Sequence, residues 1–199
     1  MNNFDAVMTQ RLQPVLDAVA ACKGRPLLIT VDGPCGSGKT TLGKQLSHLL
    51  QAPCIHMDDF HVPHAMKTAE RLAQPGGNSD RERLMAEVLL PWKESGSVSY
   101  RPYDCALDQY APVVSYPDAP VLILEGSYSH HPELAAMTDV QVFVRTSPEE
   151  QLARLEHRCP EKLPMFISRW IPLENAYFSA FSLPSERAIV IENGSVQEM

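Results

Sequence analysis

One stretch near the start of the chain, residues 27–41, constrains the fold more than any other part of the sequence. It opens with an apolar run at 27–31 that has the length and composition of a buried strand. The pattern G-x-x-x-x-G-K-[ST] is then complete from Gly33 to Thr40. After it, leucines recur at helical spacing: Leu42, Leu46, Leu49 and Leu50. A glycine-rich loop between a strand and a helix predicts a phosphate-binding site.

The residue types in this loop fit a nucleotide triphosphate. Glycines let backbone N–H groups approach phosphate oxygens, and the N-terminus of the following helix adds partial positive charge. Lys39 can reach the β- and γ-phosphates, and the Thr40 hydroxyl can bind Mg²⁺. We therefore expect ATP to be bound by Gly33, Cys35, Gly36, Ser37, Gly38, Lys39, Thr40 and Thr41.

Length and composition favour one soluble α/β domain spanning residues 1–199. The chain has 44% hydrophobic residues, and its net charge of −7 argues against a general nucleic-acid binder. Its five cysteines are scattered without C-x-x-C spacing, which favours reduced thiols. With no signal or membrane segment apparent, we expect a cytoplasmic protein that binds no membrane. The sequence leaves homo-oligomer formation open.

The chain alternates predicted helices with predicted strands, as in a parallel sheet covered on both faces. Residues 1–24 form the first predicted helix, on which Phe4, Val7 and Met8 contribute to the apolar face. Short apolar runs predict strands at about 27–32, 52–57, 120–125, 140–144 and 188–191. Alternating residues at about 97–118 predict a small hairpin outside the sheet.

Acidic residues follow two of the predicted strands, at the edge where ligands bind in parallel sheets. Asp58 and Asp59 come after the second strand, and Glu125 ends the apolar run at 121–124. Asp58 suits a general base for a hydroxyl acceptor and a Mg²⁺ partner, and Glu125 suits a Mg²⁺ ligand. Helix capping or solvent exposure is the alternative for Asp58 and Asp59, and for Asp59 the two interpretations are balanced. For Glu125 the alternative is an acid that only caps a strand.

Further residues are candidates for binding the acceptor. His61 fits a substrate pocket better than a zinc site, because the spacing of the nearby histidines matches no standard zinc pattern. Asp80 is either a first-turn helix residue or a substrate contact. Arg101 and Tyr103 lie in the predicted hairpin and would reach the acceptor if the hairpin folds over it.

Two arginines, Arg154 and Arg158, share one face of a predicted helix just after the fourth strand. They could clamp a transferring phosphate, or they could belong to a solvated basic face. A further helical region at about 162–182 follows. Residues at about 154–170 are the predicted lid.

These motifs together resemble the uridine kinase-like family of P-loop kinases. The resemblance covers nearly all of residues 27–193, and its carriers are residues 31–41, 56–60, 101–104, 124–128 and 154–158. It implies a five-stranded parallel sheet with helices on both faces. It also implies that Asp58 accepts the proton of the acceptor hydroxyl, that Glu125 lies beside Mg²⁺, and that Tyr103 is in the acceptor segment. Arg154 and Arg158 would be lid arginines, and Arg169 would face the substrate.

The resemblance implies ATP- and Mg²⁺-dependent phosphoryl transfer to a hydroxyl of a small molecule, first of all a nucleoside. The sequence departs from the family pattern on the acceptor side, at residues 74–80 and at His61. Pantothenate, a sugar phosphate or another small alcohol are alternative acceptors. A nucleotide-dependent ATPase switch is the alternative from another class, although no Asn-Lys-x-Asp segment for reading guanine is present.

Overall fold

A computed structural model describes residues 3–24 and 26–193, with side chains from residue 10 onward in the first helix. Phe4, Val7 and Met8, predicted for the apolar face of that helix, lie outside the described side chains. Five strands form a parallel sheet: β1 (Leu27–Asp32), β2 (Cys54–His56), β7 (Val121–Glu125), β8 (Val140–Arg145) and β9 (Ile189–Glu192). The predicted five-stranded parallel sheet is confirmed.

The strand order is β2-β7-β1-β8-β9, so that β1 is central. In β1, Val31 pairs in register with Glu125 of β7, and His56 of β2 pairs with the same Glu125. The phosphate loop, Glu125 and the segment after β2 therefore meet at one edge of the sheet, formed by the carboxyl ends of its strands.

Helices connect these strands. They are α1 (Asn3–Ala21), α2 (Lys39–Leu50), α3 (Ala69–Leu72), α4 (Arg81–Leu84, a π turn Met85–Leu89, Leu90–Ser95), α5 (Pro132–Ala135), α6 (Pro148–Arg158) and α7 (Leu163–Met165, a π turn Phe166–Trp170, Ile171–Ala180). Short 3₁₀ turns occur at Met57–Phe60, His64–Met66 and Pro160–Lys162. Among the described residues, no helix has both the length and the apolar character needed to cross a bilayer.

Two hydrophobic cores lie on opposite faces of the sheet, because successive strand residues point to alternate faces. One face carries Ile29 and Ile123, which pack with Leu12 of α1 and Leu46 of α2. The other carries residues of β1, α4 and α7, including Leu28, Trp92 and Tyr177. Burial on both faces explains why the central strands have nearly continuous apolar sequences.

The predicted hairpin at about 97–118 consists of two successive strand pairs. β3 (Val98–Tyr100) pairs antiparallel with β6 (Val114–Tyr116). β4 (Tyr103–Asp104) pairs with β5 (Gln109–Tyr110) farther out. Phe60 stacks on Tyr100 with 5.1 Å between ring centroids. This stacking fixes the base of the hairpin against the segment that carries Asp58.

Stability should fall in mild acid because of His131, which caps α5 and stacks against Tyr177. Burial, followed by the charge of Arg81, lowers the pKa of His131 from 6.5 to about 4. Between these pH values the His131 imidazole binds a proton in the unfolded chain but stays neutral in the folded protein. The free energy of unfolding therefore decreases as the pH falls from about 6.5 towards 4. His131→Asn keeps a side chain that can cap the helix. The decrease in the free energy of unfolding between pH 7 and pH 5 should be smaller in this variant by about 1–2 kcal/mol.

Urea unfolding at the two pH values measures this difference. The matched control is His48→Asn, since His48 is an exposed residue of α2. Burial also lowers the pKa of His130, so the variant should retain some acid sensitivity. An unchanged pH dependence in His131→Asn would show that His131 does not contribute.

Candidate active site

The phosphate loop runs from the end of β1 to the start of α2, and its first glycine is required by packing. Gly33 has φ +145°, and a Cβ there would lie 2.2 Å from the backbone oxygen of Val144 in β8. No other residue fits this close approach without moving the strand. The loop is thereby held against the centre of the sheet.

A buried carboxylate anchors the start of this loop. Asp32 is fully buried, and its Oδ1 accepts the Gly33 N–H at 2.7 Å. Its Oδ2 accepts the backbone N–H of His130 at 2.9 Å and the hydroxyl of Tyr177 at 2.8 Å. Burial and the charge of Asp32 raise the pKa of Tyr177, so this hydroxyl remains a donor. The sequence analysis gave Asp32 no role, although an acid that ends a buried strand ahead of a phosphate loop was a usable signal.

The side chains at the start of α2 point to the phosphate site. The Lys39 Nζ donates to the carbonyls of Gly33 at 2.7 Å and Pro34 at 2.9 Å. The Thr40 hydroxyl donates to Glu125 Oε2 at 3.3 Å. The Thr40 and Glu125 oxygens are therefore neighbours, as a shared cation would require.

His56 is the second partner of Glu125. Its Nδ1 lies 2.5 Å from Glu125 Oε1, and this hydrogen bond is the main cause that raises the pKa of His56. Within residues 3–24 and 26–193, no cluster of three or more His, Cys, Asp or Glu could hold a metal ion. Two oxygen ligands still fit Mg²⁺, which prefers oxygen and completes its coordination with phosphates and water.

A cleft of about 1030 Å³ opens over the loop. It is bounded by the phosphate loop, by the segment after β2 and by the lid segment, residues 154–170. Most of the predicted site residues line it: Cys35, Gly36, Gly38, Lys39, Thr40, Thr41, Asp58, His61, Glu125, Arg154, Arg158 and Arg169. Gly33 and Ser37 belong to the loop but do not line the cleft, and Ser37 is fully buried.

Asp58 lies on the wall formed by the segment after β2. Its side chain is 85% exposed, and its Oδ1 is 3.6 Å from His61 Nε2. The other nitrogen of that ring, Nδ1, lies 3.3 Å from Asn78 Nδ2. At 3.6 Å the His61–Asp58 contact is too long for a hydrogen bond, so the Asp58 carboxylate remains exposed and open to the cleft.

Asp59 and Asp80 lie outside the cleft lining. The Asp59 Oδ2 accepts the hydroxyl of Tyr100 at 2.7 Å, and burial raises the pKa of Asp59. Asp80 caps α4 by accepting the Arg83 N–H at 3.1 Å, and it pairs with the Arg83 guanidinium at 3.8 Å. Asp80 is thus the N-cap of α4, one residue before the first turn, and its role in substrate binding stays a prediction.

Arg101 and Tyr103 also lie outside the cleft lining, although the Tyr103 hydroxyl accepts the backbone N–H of the cleft residue His64 at 3.3 Å. The Arg101 guanidinium donates to the carbonyls of Tyr110 at 2.8 Å and Ala111 at 2.9 Å. The Tyr103 hydroxyl donates to Asp108. A substrate-binding role for Arg101, Tyr103 and Asp59 stays a prediction.

The three predicted arginines differ in their contacts. Arg154 reaches the outer side of the phosphate loop, with Nη1 3.4 Å from the carbonyl of Gly36, and also donates to the carbonyl of Asn193 at 2.5 Å. Arg158 lies over the ring of Phe166, 5.9 Å from its centroid. Arg169 lies in the π turn of α7 and lines the cleft.

Glu174 of α7 is a cleft residue that the sequence analysis missed. It is 5% exposed, and its Oε2 accepts the Cys35 N–H of the phosphate loop at 2.8 Å. Its Oε1 accepts the Ser127 hydroxyl at 2.5 Å. Burial and the charge of Glu174 raise the pKa of Cys35 to about 12, so this loop cysteine is a neutral thiol. No local pattern signals a contact that spans 139 residues.

Known proteins share this architecture. A protein-family model described as an AAA domain matches residues 29–164. No curated protein matches the chain.

Several solved structures are similar along almost the whole chain. A protein described as a possible uridine kinase from Bacillus stearothermophilus is 24% identical, with 92% of this chain and 98% of that chain covered and a TM-score of 0.70. A candidate fructose transport system kinase from Silicibacter sp. TM1040 is 22% identical, with 93% and 97% covered and a TM-score of 0.72. D-glycerate 3-kinase from Cryptococcus neoformans is 15% identical, with 98% and 96% covered and a TM-score of 0.61.

The TM-scores and coverages show that this chain shares its fold with these three proteins. The family model covers more than half of the chain and includes the phosphate loop, Asp58, Glu125, Arg154 and Arg158. The chain therefore belongs to this AAA-domain family of P-loop proteins.

Proposed function

We propose that this protein transfers the γ-phosphate of ATP to a hydroxyl group of a small molecule bound beside Asp58. The observation that carries the proposal is that one cleft joins the phosphate loop to an exposed carboxylate on the facing wall. A kinase needs both features within reach of one phosphoryl group, because the nucleophile must attack in line with the leaving group.

The donor side would bind ATP through the loop N–H groups and Lys39. Thr40 and Glu125 would hold Mg²⁺, which neutralises charge on the phosphate oxygens when bound. Arg154 and Arg158 lie one helical turn apart on α6 and would stabilise the charge of the transferring group from the lid side. These roles use the side chains that line the cleft at its loop end.

The acceptor side would use Asp58 as the general base. Its carboxylate would take the proton of the acceptor hydroxyl while the oxygen attacks the γ-phosphorus and the bond to the β-phosphate oxygen breaks. His61, which lines the cleft beside Asp58, would contact the acceptor from the same wall.

The acceptor class is the open part of this proposal. The sequence resemblance implies a nucleoside. One protein of the same fold is named for a nucleoside, uridine, but others are named for a fructose transport system and for D-glycerate. A test therefore measures ATP consumption with Mg²⁺ across nucleosides, pantothenate, free sugars, sugar phosphates and hydroxy acids. Lys39→Ala serves as the blank.

We expect at least one acceptor to raise ATP consumption well above the blank, with the phosphate recovered on the acceptor. ATP hydrolysis that no acceptor stimulates would contradict the kinase proposal and would favour the ATPase switch.

A further inference from the structure

We propose that the acceptor carries a carboxylate or phosphate group of its own, bound between Lys67 on the wall after β2 and Lys162 and Arg169 on the lid side. This inference rests on the proposed kinase function and specifies its substrate class. It separates an anionic alcohol from a neutral nucleoside or sugar.

The first argument is the distribution of cations that have neither a hydrogen bond nor a carboxylate partner in the described part of the chain. Most described Lys and Arg side chains bond to carboxylates or carbonyls, as Arg71 does to Glu82 at 2.7 Å. Within residues 3–24 and 26–193, no hydrogen bond or carboxylate within 4 Å is found for a short list of cations: Lys23, Lys44, Lys67, Arg158, Lys162 and Arg169. The last four of these line the same cleft.

The position of Lys67 is the second argument. Burial raises the pKa of the Cys105 thiol, while the charge of Lys67 lowers it and that of Asp58 raises it. All three residues line the cleft, so Lys67 and Asp58 act on the same thiol at the hairpin side. Lys67 directly follows the 3₁₀ turn His64–Met66 on the segment that carries Asp58, and both residues line the cleft, so Lys67 is placed to bind the acceptor and not ATP.

The lid side supplies the opposing charges. Lys162 ends the 3₁₀ turn after α6, and Arg169 lies two turns farther along α7. Arg154 precedes them in the chain and contacts the loop carbonyl of Gly36 at 3.4 Å, and Arg158 lies one helical turn after Arg154 on α6. The phosphates of ATP can therefore be served by the earlier arginines while Lys162 and Arg169 remain for another anion.

The charge balance of the cleft supports the same conclusion. Its lining contains the cations Lys39, Lys67, Arg154, Arg158, Lys162 and Arg169, but only the carboxylates Asp58, Glu125 and Glu174. This excess of positive charge occurs in a chain whose net charge is −7. Lys39, Arg154 and Arg158 are assigned to the phosphates of ATP, and an anionic acceptor would offset the charge of the other three, Lys67, Lys162 and Arg169.

The test compares acceptors that differ in one charged group. Turnover is measured with glycerate against glycerol and with fructose 6-phosphate against fructose, with uridine as a further neutral acceptor. We expect kcat/KM to be at least about ten-fold higher for the anionic member of one pair, because charge-assisted hydrogen bonds exceed neutral ones. A higher kcat/KM for glycerate than for glycerol would indicate a carboxylate on the acceptor, and a higher kcat/KM for fructose 6-phosphate than for fructose would indicate a phosphate.

Variants then assign the effect to residues. Lys67→Gln and Arg169→Gln should each raise KM for the anionic acceptor by about ten-fold or more, and Lys67→Gln should leave KM for ATP unchanged. Lys23→Gln is the matched control. Lys23 is an exposed lysine that lies outside the cleft lining and, among the described residues, has no hydrogen bond or carboxylate partner. Equal effects of Lys67→Gln and Lys23→Gln on the acceptor KM would overturn the assignment.

The outcomes separate this inference from the proposed function. Efficient turnover of only the neutral acceptors would overturn the inference and leave the kinase standing. If no acceptor is turned over, the kinase proposal fails, and calorimetric binding of the same pairs without ATP still tests the anion site. Tighter binding of the anionic member supports it, and equal or undetectable binding of both members overturns it.

Discussion

Asp58→Asn should lower acceptor-dependent turnover by about 10²–10⁴-fold, the range that general base catalysis contributes. The asparagine amide has nearly the same shape as the carboxylate but cannot accept the proton of the acceptor hydroxyl. ATP affinity should change much less, because the phosphate loop and Lys39 do not contact this side chain. The measurements are kcat with the best acceptor and the Kd for ATP from a direct binding titration.

The adjacent acid provides a matched control. Asp59→Asn makes the same chemical change one residue away, at a carboxylate that accepts the Tyr100 hydroxyl and lies outside the cleft lining. An amide oxygen can still accept this bond, so the loss of turnover should be far smaller than for Asp58→Asn. Similar losses for both variants, or full turnover in Asp58→Asn, would contradict the assignment of Asp58 as the base.

The features that the sequence predicted well are those encoded within a few consecutive residues. The phosphate loop is specified by glycines whose backbone conformation and spacing are local, and Gly33 shows φ +145° in the structure. The acids at the strand ends could be placed because parallel strands bring their carboxyl ends to one edge. Asp58 and Glu125 accordingly line the cleft together with the loop.

The features that the sequence could not predict depend on which distant groups meet. Arg101 and Tyr103 have residue types that suit a substrate pocket, yet they bond to Tyr110 and Asp108 across the hairpin. Glu174 bonds to Cys35 from a helix near the other end of the chain. Helical periodicity identifies the face on which a residue lies but does not identify its partner, which tertiary packing selects.

Lys39→Ala should reduce phosphoryl transfer by at least about 10²–10³-fold, comparable with the loss of one preorganised donor to a transition-state charge. The Lys39 Nζ is within hydrogen-bond reach of the carbonyls of Gly33 and Pro34, so its ammonium group already lies over the phosphate loop. From there it would bond to the β- and γ-phosphates. Both kcat and ATP affinity should fall, whereas Asp58→Asn should affect mainly kcat.

The control for Lys39→Ala must separate loss of charge at the site from loss of folding. Lys39 is 8% exposed and its removal leaves two carbonyls with one donor fewer, so the unfolding midpoint of the variant is measured as well. Lys44→Ala changes an exposed lysine on the same helix that does not line the cleft, and should retain turnover. A folded Lys39→Ala protein with the ATP affinity and kcat of Lys44→Ala would contradict phosphate binding by this loop. Because the phosphate loop is common to the kinase and the ATPase switch, that result would remove both functions together.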